Sequence, residues 1–369
     1  MLDGKITNSM NLPFDFTCGY VGYLGYELKA ETLGTGFHSA HKRRKRKSPL
    51  VADAYWYFAR QCVAIDHQSN EAYVMSLNRP ITRSNDKILE WLKQFGCVLD
   101  VVENVVSKDR LVTPLKPHYD KKTYESRVSD CQSSLRAGDS YELCFTTAFD
   151  GTIASSLESN NRLFRLYTRL RERNAAPYGC YMEIQSLARK GEFYAILSSS
   201  PEQFLKVDAE GRMQTKPIKG TCRRGHDADE DERLKRFLEA DPKNRAENLM
   251  IVDLARNDLS RVCEPGTVHC PKLMRVESYQ TVHQLVSTVS GQVLDRTTSG
   301  SYLKAAFPPG SMTGAPKVRS CELLERLEEI DRGVYGGCLG FISVHDACDL
   351  SVVIRTSLLS LSIFRIRTL

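Results

Sequence analysis

Tyr178-Gly-Cys-Tyr-Met-Glu-Ile184, Glu192-Phe-Tyr-Ala-Ile-Leu-Ser198, Gln203-Phe-Leu-Lys-Val207 and Met213-Gln-Thr-Lys216 are four short strand-like runs that follow one another closely. A parallel pair needs a crossover of a dozen or more residues, and the gaps between these runs are too short to hold one. Adjacent strands of this kind pair as antiparallel sheets, which bury one face under helices. Working outward, the same alternation predicts strands over Ser140–Phe149, Gly337–Val344 and Leu350–Leu358. Helical spacing marks Lys121–Ala137, with Tyr124, Val128, Cys131 and Leu135 on one face and Gly138 placed to end it. Further helices are predicted around Leu163, Leu166 and Leu170, and over Asp229–Glu239, Ala246–Leu254 and Val318–Ile330. The fold class is α+β, with antiparallel sheets and helices packed outside.

The first hundred residues read as short strands at Val51–Ala64 and Glu71–Leu77 and a helix at Asp86–Phe95. Gly19, Gly22 and Gly25 stand three apart among tyrosines, a spacing for close backbone packing that is not a phosphate loop. A polar, proline-containing passage over Ser107–Tyr119 predicts a division into residues 1–115 and 116–369.

Composition narrows the function. Of 369 residues 41% are hydrophobic, 26% charged and 9% aromatic, ordinary for a globular chain. The net charge of +6 equals the six positive charges of Lys42-Arg-Arg-Lys-Arg-Lys47, so no basic face remains for nucleic acid. A solvated loop insertion explains that run. The twelve cysteines form no C-x-x-C pair and read as reduced thiols. Cys263, His269, Cys270 and His283 match no zinc spacing. The N-terminus has no apolar signal core, and the late apolar stretch is interrupted by Arg355, so neither a membrane span nor a secretory signal is expected. The expectation is a cytoplasmic protein, or a plastid one if sequence precedes Met1.

Four separated segments carry small, polar and charged residues that a core does not need. Ser198-Ser-Ser-Pro-Glu202 is a polar turn after an apolar strand, with a carboxylate at its tip; a turn or helix-start carboxylate is the plain alternative. Lys216-Pro-Ile-Lys-Gly-Thr-Cys-Arg-Arg-Gly225 sets Lys219 beside a glycine and a hydroxyl, otherwise a solvated basic loop. Arg245-Ala-Glu-Asn-Leu-Met-Ile-Val-Asp-Leu-Ala-Arg-Asn-Asp258 places Glu247 among apolar bulk on one helix, and a buried carboxylate needs a cation. Phe307-Pro-Pro-Gly-Ser-Met-Thr-Gly-Ala-Pro-Lys317 offers backbone N–H groups ahead of a helix, without the G-K-[S/T] of a Walker loop.

Together and in this order, P-I-K-G-T, A-E-N-L-M-I-V-D-L-x-R-N-D, V-x-x-L-V-S-T-V and G-S-M-T-G-A-P-K resemble the chorismate-utilising enzymes. That family comprises anthranilate synthase large subunits, aminodeoxychorismate synthases and isochorismate or salicylate synthases. The likeness runs from about Tyr119 to Thr356 and implies a two-lobed sandwich of antiparallel sheets. It further implies that lysine at 219, where anthranilate synthases carry alanine in P-I-A-G-T, marks the aminodeoxychorismate branch. The implied reaction replaces the C4 hydroxyl of chorismate with an amino group on the way to p-aminobenzoate and folate. Lys219 would add to C2 as C4 loses its hydroxyl, Glu202 would protonate the leaving group, and ammonia from a glutamine amidotransferase subunit or fused domain would enter C4 and expel the lysine.

By the same resemblance Glu247 holds Mg²⁺ against one substrate carboxylate, while Arg355 and Tyr335 hold the enolpyruvyl carboxylate. Gly220 and Thr221 line the ring, His283 stands near the reacting edge, and Thr313 and Gly314 contribute from the glycine-rich loop. A lysine at its ordinary pKa of about 10.4 is nearly all ammonium at neutral pH, so the chemistry asks that it be lowered towards about 7–8. Lys216, Arg223, Arg224 and the metal are expected to do this, and Glu202 is expected to be raised. The sequence departs from the family after Thr356, where the G-A-G-G turn and the E-Y-x-E helix with a second Mg²⁺ ligand are absent. A chain cut short within its catalytic centre is therefore expected. Anthranilate synthase component I and a catalytically dead amidotransferase partner are the alternatives.

Overall fold

The computed structural model describes residues 12–34, 37, 51–77, 113–152, 160–186, 193–295, 297–360 and 365–368. The Lys42–Lys47 run and the helix expected at Asp86–Phe95 lie outside them. Asp120 opens the first long helix by accepting the Thr123 N–H, and the helix runs Lys121–Arg136, with Gly138 following at φ +79°. Helices Asn160–Arg173, Ala228–Ala240, Pro242–Ser260 and Lys317–Leu327 match the expected ones, and Ser299–Ala306 adds one that the sequence reading did not contain.

The strands form two large antiparallel sheets. The nine-stranded sheet runs Ile218–Arg223, Val282–Gln292, Arg212–Lys216, Gln203–Val207, Cys348–Val352, Cys338–Ser343, Gly19–Leu24 and Ala54–Ala59, with His269–Ser278 also paired to Val282–Gln292. The six-stranded sheet runs Lys116–Pro117, Phe149–Thr152, Arg365–Thr368, Thr356–Ser360, Phe193–Ser200 and Tyr178–Gln185. Tyr23 and Leu339 of the larger sheet share a buried cluster with Met182, Ile184, Tyr194, Ile196 and Leu358 of the smaller, so the sheets face each other across one core.

The outer faces are covered by helices. On the larger sheet Leu205, Val289 and Leu350 pack with Val252, Leu259, Tyr302 and Leu303 of two helices. On the smaller, Ala195, Leu197 and Leu359 pack with Leu163 and Tyr167. Along Phe193–Ser200 the side chains therefore alternate between two buried surfaces, which is why Tyr-Ala-Ile-Leu reads as a continuous apolar run. Among the described residues no helix is long and apolar enough to cross a membrane, and the eleven described cysteines are free thiols.

Three local expectations change. The predicted strand over Leu350–Leu358 is two strands in different sheets, Cys348–Val352 and Thr356–Ser360, joined through Arg355 at φ +50°. A run that is apolar on both faces gives no sign of where the chain changes sheets. Of Ser140–Phe149 only Glu142–Leu143 and the last residue are strand, because the polar groups between them bond elsewhere: the Cys144 N–H to the Thr313 carbonyl and the Thr146 N–H to the Glu328 carboxylate. The basic segment around Lys219, read as a loop, contains the strand Ile218–Arg223, irregular at Gly220 with φ +95°.

Candidate active site

Two direct crossings between the sheets lie side by side, and Glu202 stands at one of them. Phe193–Ser200 belongs to the smaller sheet and Gln203–Val207 to the larger. The returning crossing is tied to it: the Val352 N–H donates to the Glu202 carbonyl, the Ser200 hydroxyl to the Val352 carbonyl, and the Ser199 N–H to the Arg355 carbonyl. Glu202 is only 6% exposed and lines a cleft with Pro217, Ala255, Asp258, Gly310 and Ser311. Burial pushes its carboxyl up to about 7, against a hydrogen bond from Ser311 and the positive charge of Lys219, both of which favour the carboxylate. A carboxyl that still carries its proton near neutrality can give it to a leaving group.

Lys219 is largely buried, and its amine is held by the Glu142 carboxylate. Burial works against the ammonium, but the charge and hydrogen bond of Glu142, with smaller contributions from Cys144 and Glu247, outweigh it and raise the lysine above its ordinary value. The expected lowering by neighbouring cations is thus reversed. Arg223 and Arg224 are consumed by Glu230 and Asp231 of the following helix, and Glu142, which the sequence reading left unmarked, is the closest charge. An acidic residue inside the apolar run Tyr141-Glu-Leu-Cys-Phe145 was the signal available for it.

The glycine-rich loop is built against the same residue. Gly314–Ala315 pairs as a two-residue strand with Glu142–Leu143. A Cβ on Gly314 would lie 1.9 Å from the Glu142 carbonyl oxygen, and its φ is +138°, so this approach requires glycine. Thr313 is fully buried, donates its hydroxyl to the Gly310 carbonyl and accepts the Cys144 N–H on its own carbonyl. The loop is anchored from beneath by two residues that sequence reasoning missed. Lys317 donates to Asp258 at 2.6 Å and to the Ala306 and Pro308 carbonyls at 2.7 and 2.9 Å. Arg332 reaches the Met312 carbonyl at 2.7 Å and the Cys144 carbonyl at 2.8 Å, while Glu328 holds its guanidinium.

The remaining candidates divide. Gly220 is backed by the Asn244 side chain, which a Cβ would approach to 2.9 Å. Tyr335 is half-buried beside Arg332, and burial raises its hydroxyl to about 12. Thr221 is exposed, as is Arg355, whose side chain makes no ion pair among the described residues. His283 is buried with both ring nitrogens engaged, Nδ1 with the Ser278 hydroxyl at 2.8 Å and Nε2 with Asp231 at 3.0 Å. Glu247 has a half-exposed side chain and a loose 3.9 Å contact with Lys243, so its carboxylate is not used up by the fold. Among the described residues no three potential ligands cluster. A single carboxylate completed by substrate oxygens and waters is nevertheless a Mg²⁺ mode, and Glu247 fits it.

Residues 4–368 match the chorismate binding enzyme family. The chain is 43% identical over 353 residues to the chloroplastic aminodeoxychorismate synthase of Arabidopsis thaliana, covering 94% of this chain and 36% of that protein. It is 39% identical over 365 residues to the aminodeoxychorismate synthase of Streptomyces griseus, covering 97% and 47%. The chain therefore spans less than half the length of these relatives. Its fold matches the crystal structure of anthranilate synthase component I from Streptococcus pneumoniae with a TM-score of 0.77 at 27% identity, over 98% of this chain and 76% of that one. By the match along nearly its whole length, this chain belongs to the chorismate binding enzyme family.

Proposed function

We propose that the chain is the chorismate-aminating component of an aminodeoxychorismate synthase, converting chorismate and ammonia to 4-amino-4-deoxychorismate. The observation that carries this reading is a buried lysine, Lys219, close enough to a buried carboxyl raised to about 7, Glu202, for the lysine charge to act on it. A nucleophile and a proton donor are needed together to displace a hydroxyl, which is a poor leaving group until protonated.

In the proposed sequence the neutral amine of Lys219 forms a bond to ring C2, both ring double bonds shift towards C4, and the C4 hydroxyl departs as water with the Glu202 proton. Ammonia then bonds to C4, and the C2–N bond breaks with its electron pair returning to Lys219. Gly220 and Gly314 are assigned to the surroundings of the ring, Thr313 holds the loop in place, and Tyr335 and Arg355 are assigned to the enolpyruvyl carboxylate, for which a planar guanidinium suits. Thr221 is assigned to the ring edge and His283 to its surroundings, held by Asp231 and Ser278. Glu247 is the residue that would hold Mg²⁺, which when bound neutralises a substrate carboxylate.

Ammonia is assigned to a glutamine amidotransferase, as a subunit or a fused domain, and the product to p-aminobenzoate and folate synthesis. A plastid location, carried by the name of the Arabidopsis relative, is part of the same proposal. The test incubates the purified chain with chorismate, Mg²⁺ and ammonium. Aminodeoxychorismate is the expected product; anthranilate, or no turnover with amidotransferase binding retained, would overturn the assignment. Lys219→Ala should reduce aminodeoxychorismate formation by at least about 10²-fold, and undiminished formation removes the covalent role.

A further inference from the structure

Glu142 is a carboxylate with one committed oxygen. Its Oε1 takes the Lys219 amine, whereas Oε2 is buried without a hydrogen-bond partner among the described residues. Two buried carboxylates that brace the fold are engaged through both oxygens. Glu328 meets Arg332 through Oε1 and Oε2 and takes Thr146 as well, and Glu27 accepts the Arg332 and Gly333 N–H groups on separate oxygens. The same contrast holds for the lysines. Lys317 spends three hydrogen bonds on Asp258 and two carbonyls, while Lys219 has Glu142 as its single hydrogen-bond partner among the described residues. A buried polar group left incompletely paired in a native structure calls for an explanation, and a chemical role is one.

The fold nevertheless fixes both groups. Glu142 is pinned by the strand pair with Gly314–Ala315, and Lys219 by a strand of the large sheet. The charged and titratable groups that face the amine are Glu142 and Cys144 from one segment, Glu247 from the helix Pro242–Ser260 and Glu202 from the sheet crossing. Of these only Glu142 is in hydrogen-bond contact. Burial alone favours the neutral amine, so one carboxylate decides its charge.

Resting on the chemistry proposed for Lys219, we propose that Glu142 is the latch and base of that lysine: it holds the amine protonated in the free enzyme and takes its proton when the nucleophile is released. The balance is simple. One proton passes from Nζ to the Glu142 carboxylate, leaving a neutral amine with a free electron pair and a neutral carboxylic acid, and no isolated charge is left in the buried site.

The test measures Lys219 without turnover. The full chain, Glu142→Gln and Glu142→Asp are labelled competitively with an amine-acylating reagent across a pH series, and the Lys219 peptide is quantified by mass spectrometry. Glu142→Gln should move the labelling midpoint down by about one to three pH units, and Glu142→Asp should restore it. A midpoint that stays or rises in Glu142→Gln, or that moves equally in Glu142→Asp, overturns the latch. Failure of the functional reading looks different, because there Lys219→Ala keeps full turnover whatever the labelling shows.

Discussion

Glu202 is set where stability and chemistry disagree. Its carboxyl is raised from 4.5 to about 7 by burial, so the stability it contributes is fully present below pH 4.5 and is lost as pH rises through about 7, when the buried group must ionise. The raised value corresponds to a cost of about 3 kcal/mol at alkaline pH. Glu202→Gln removes the ionisation. The variant should therefore unfold at a higher temperature than the parent at pH 8 and at nearly the same temperature at pH 4.5, while losing aminodeoxychorismate formation. Thermal unfolding at both pH values checks the first part, and an equal or lower Tm at pH 8 would contradict the burial argument. The upward tuning of Glu202 was expected only through the acid role that the family resemblance implies; the state of Lys219 was not foreseen, because its controlling charge comes from a distant segment whose approach no local pattern encodes.

At the scale of elements, the glycine-rich loop was legible as a loop and its reason was not. Gly314 is glycine because the Glu142–Leu143 strand runs against it, with the Glu142 carbonyl where a Cβ would stand. Gly333 offers an internal comparison, with φ +64° and open space around its missing side chain. Alanine at 333 meets only backbone strain, about 1 kcal/mol, whereas alanine at 314 must also displace a paired backbone and should cost about 3 kcal/mol or more. Urea unfolding of the two variants measures the difference, and equal midpoints would mean that the strand pair yields easily. The helix end was legible where capping chemistry announces it, as at Gly138. The two sheet crossings were not, since residues buried on both faces keep the same apolar pattern whichever sheet they join.

For the whole molecule, the boundary expected near Ser107–Tyr119 becomes a question of what residues 1–115 hold up. Gly19–Leu24 lies inside the nine-stranded sheet, between Cys338–Ser343 and Ala54–Ala59. No sequence pattern points to pairing between segments so far apart in the chain, so the topology was out of reach even where each strand was readable. Glu27 accepts the Arg332 and Gly333 N–H groups, and the Tyr26 ring lies 4.1 Å from the Arg332 guanidinium that braces the Met312 and Cys144 carbonyls of the site. Lys29 adds a buried contact with Glu325 at 3.4 Å. A chain beginning at residue 116 loses all of these together, leaves Cys338–Ser343 as an open edge and strips one partner from a buried charge pair, a change that costs about 3–5 kcal/mol by itself. Residues 116–369 expressed alone should therefore elute as aggregate and show no cooperative thermal transition. A monomeric fragment with a sharp transition that makes aminodeoxychorismate from ammonium would establish instead that the catalytic part folds independently, and that the N-terminal strands only cover it.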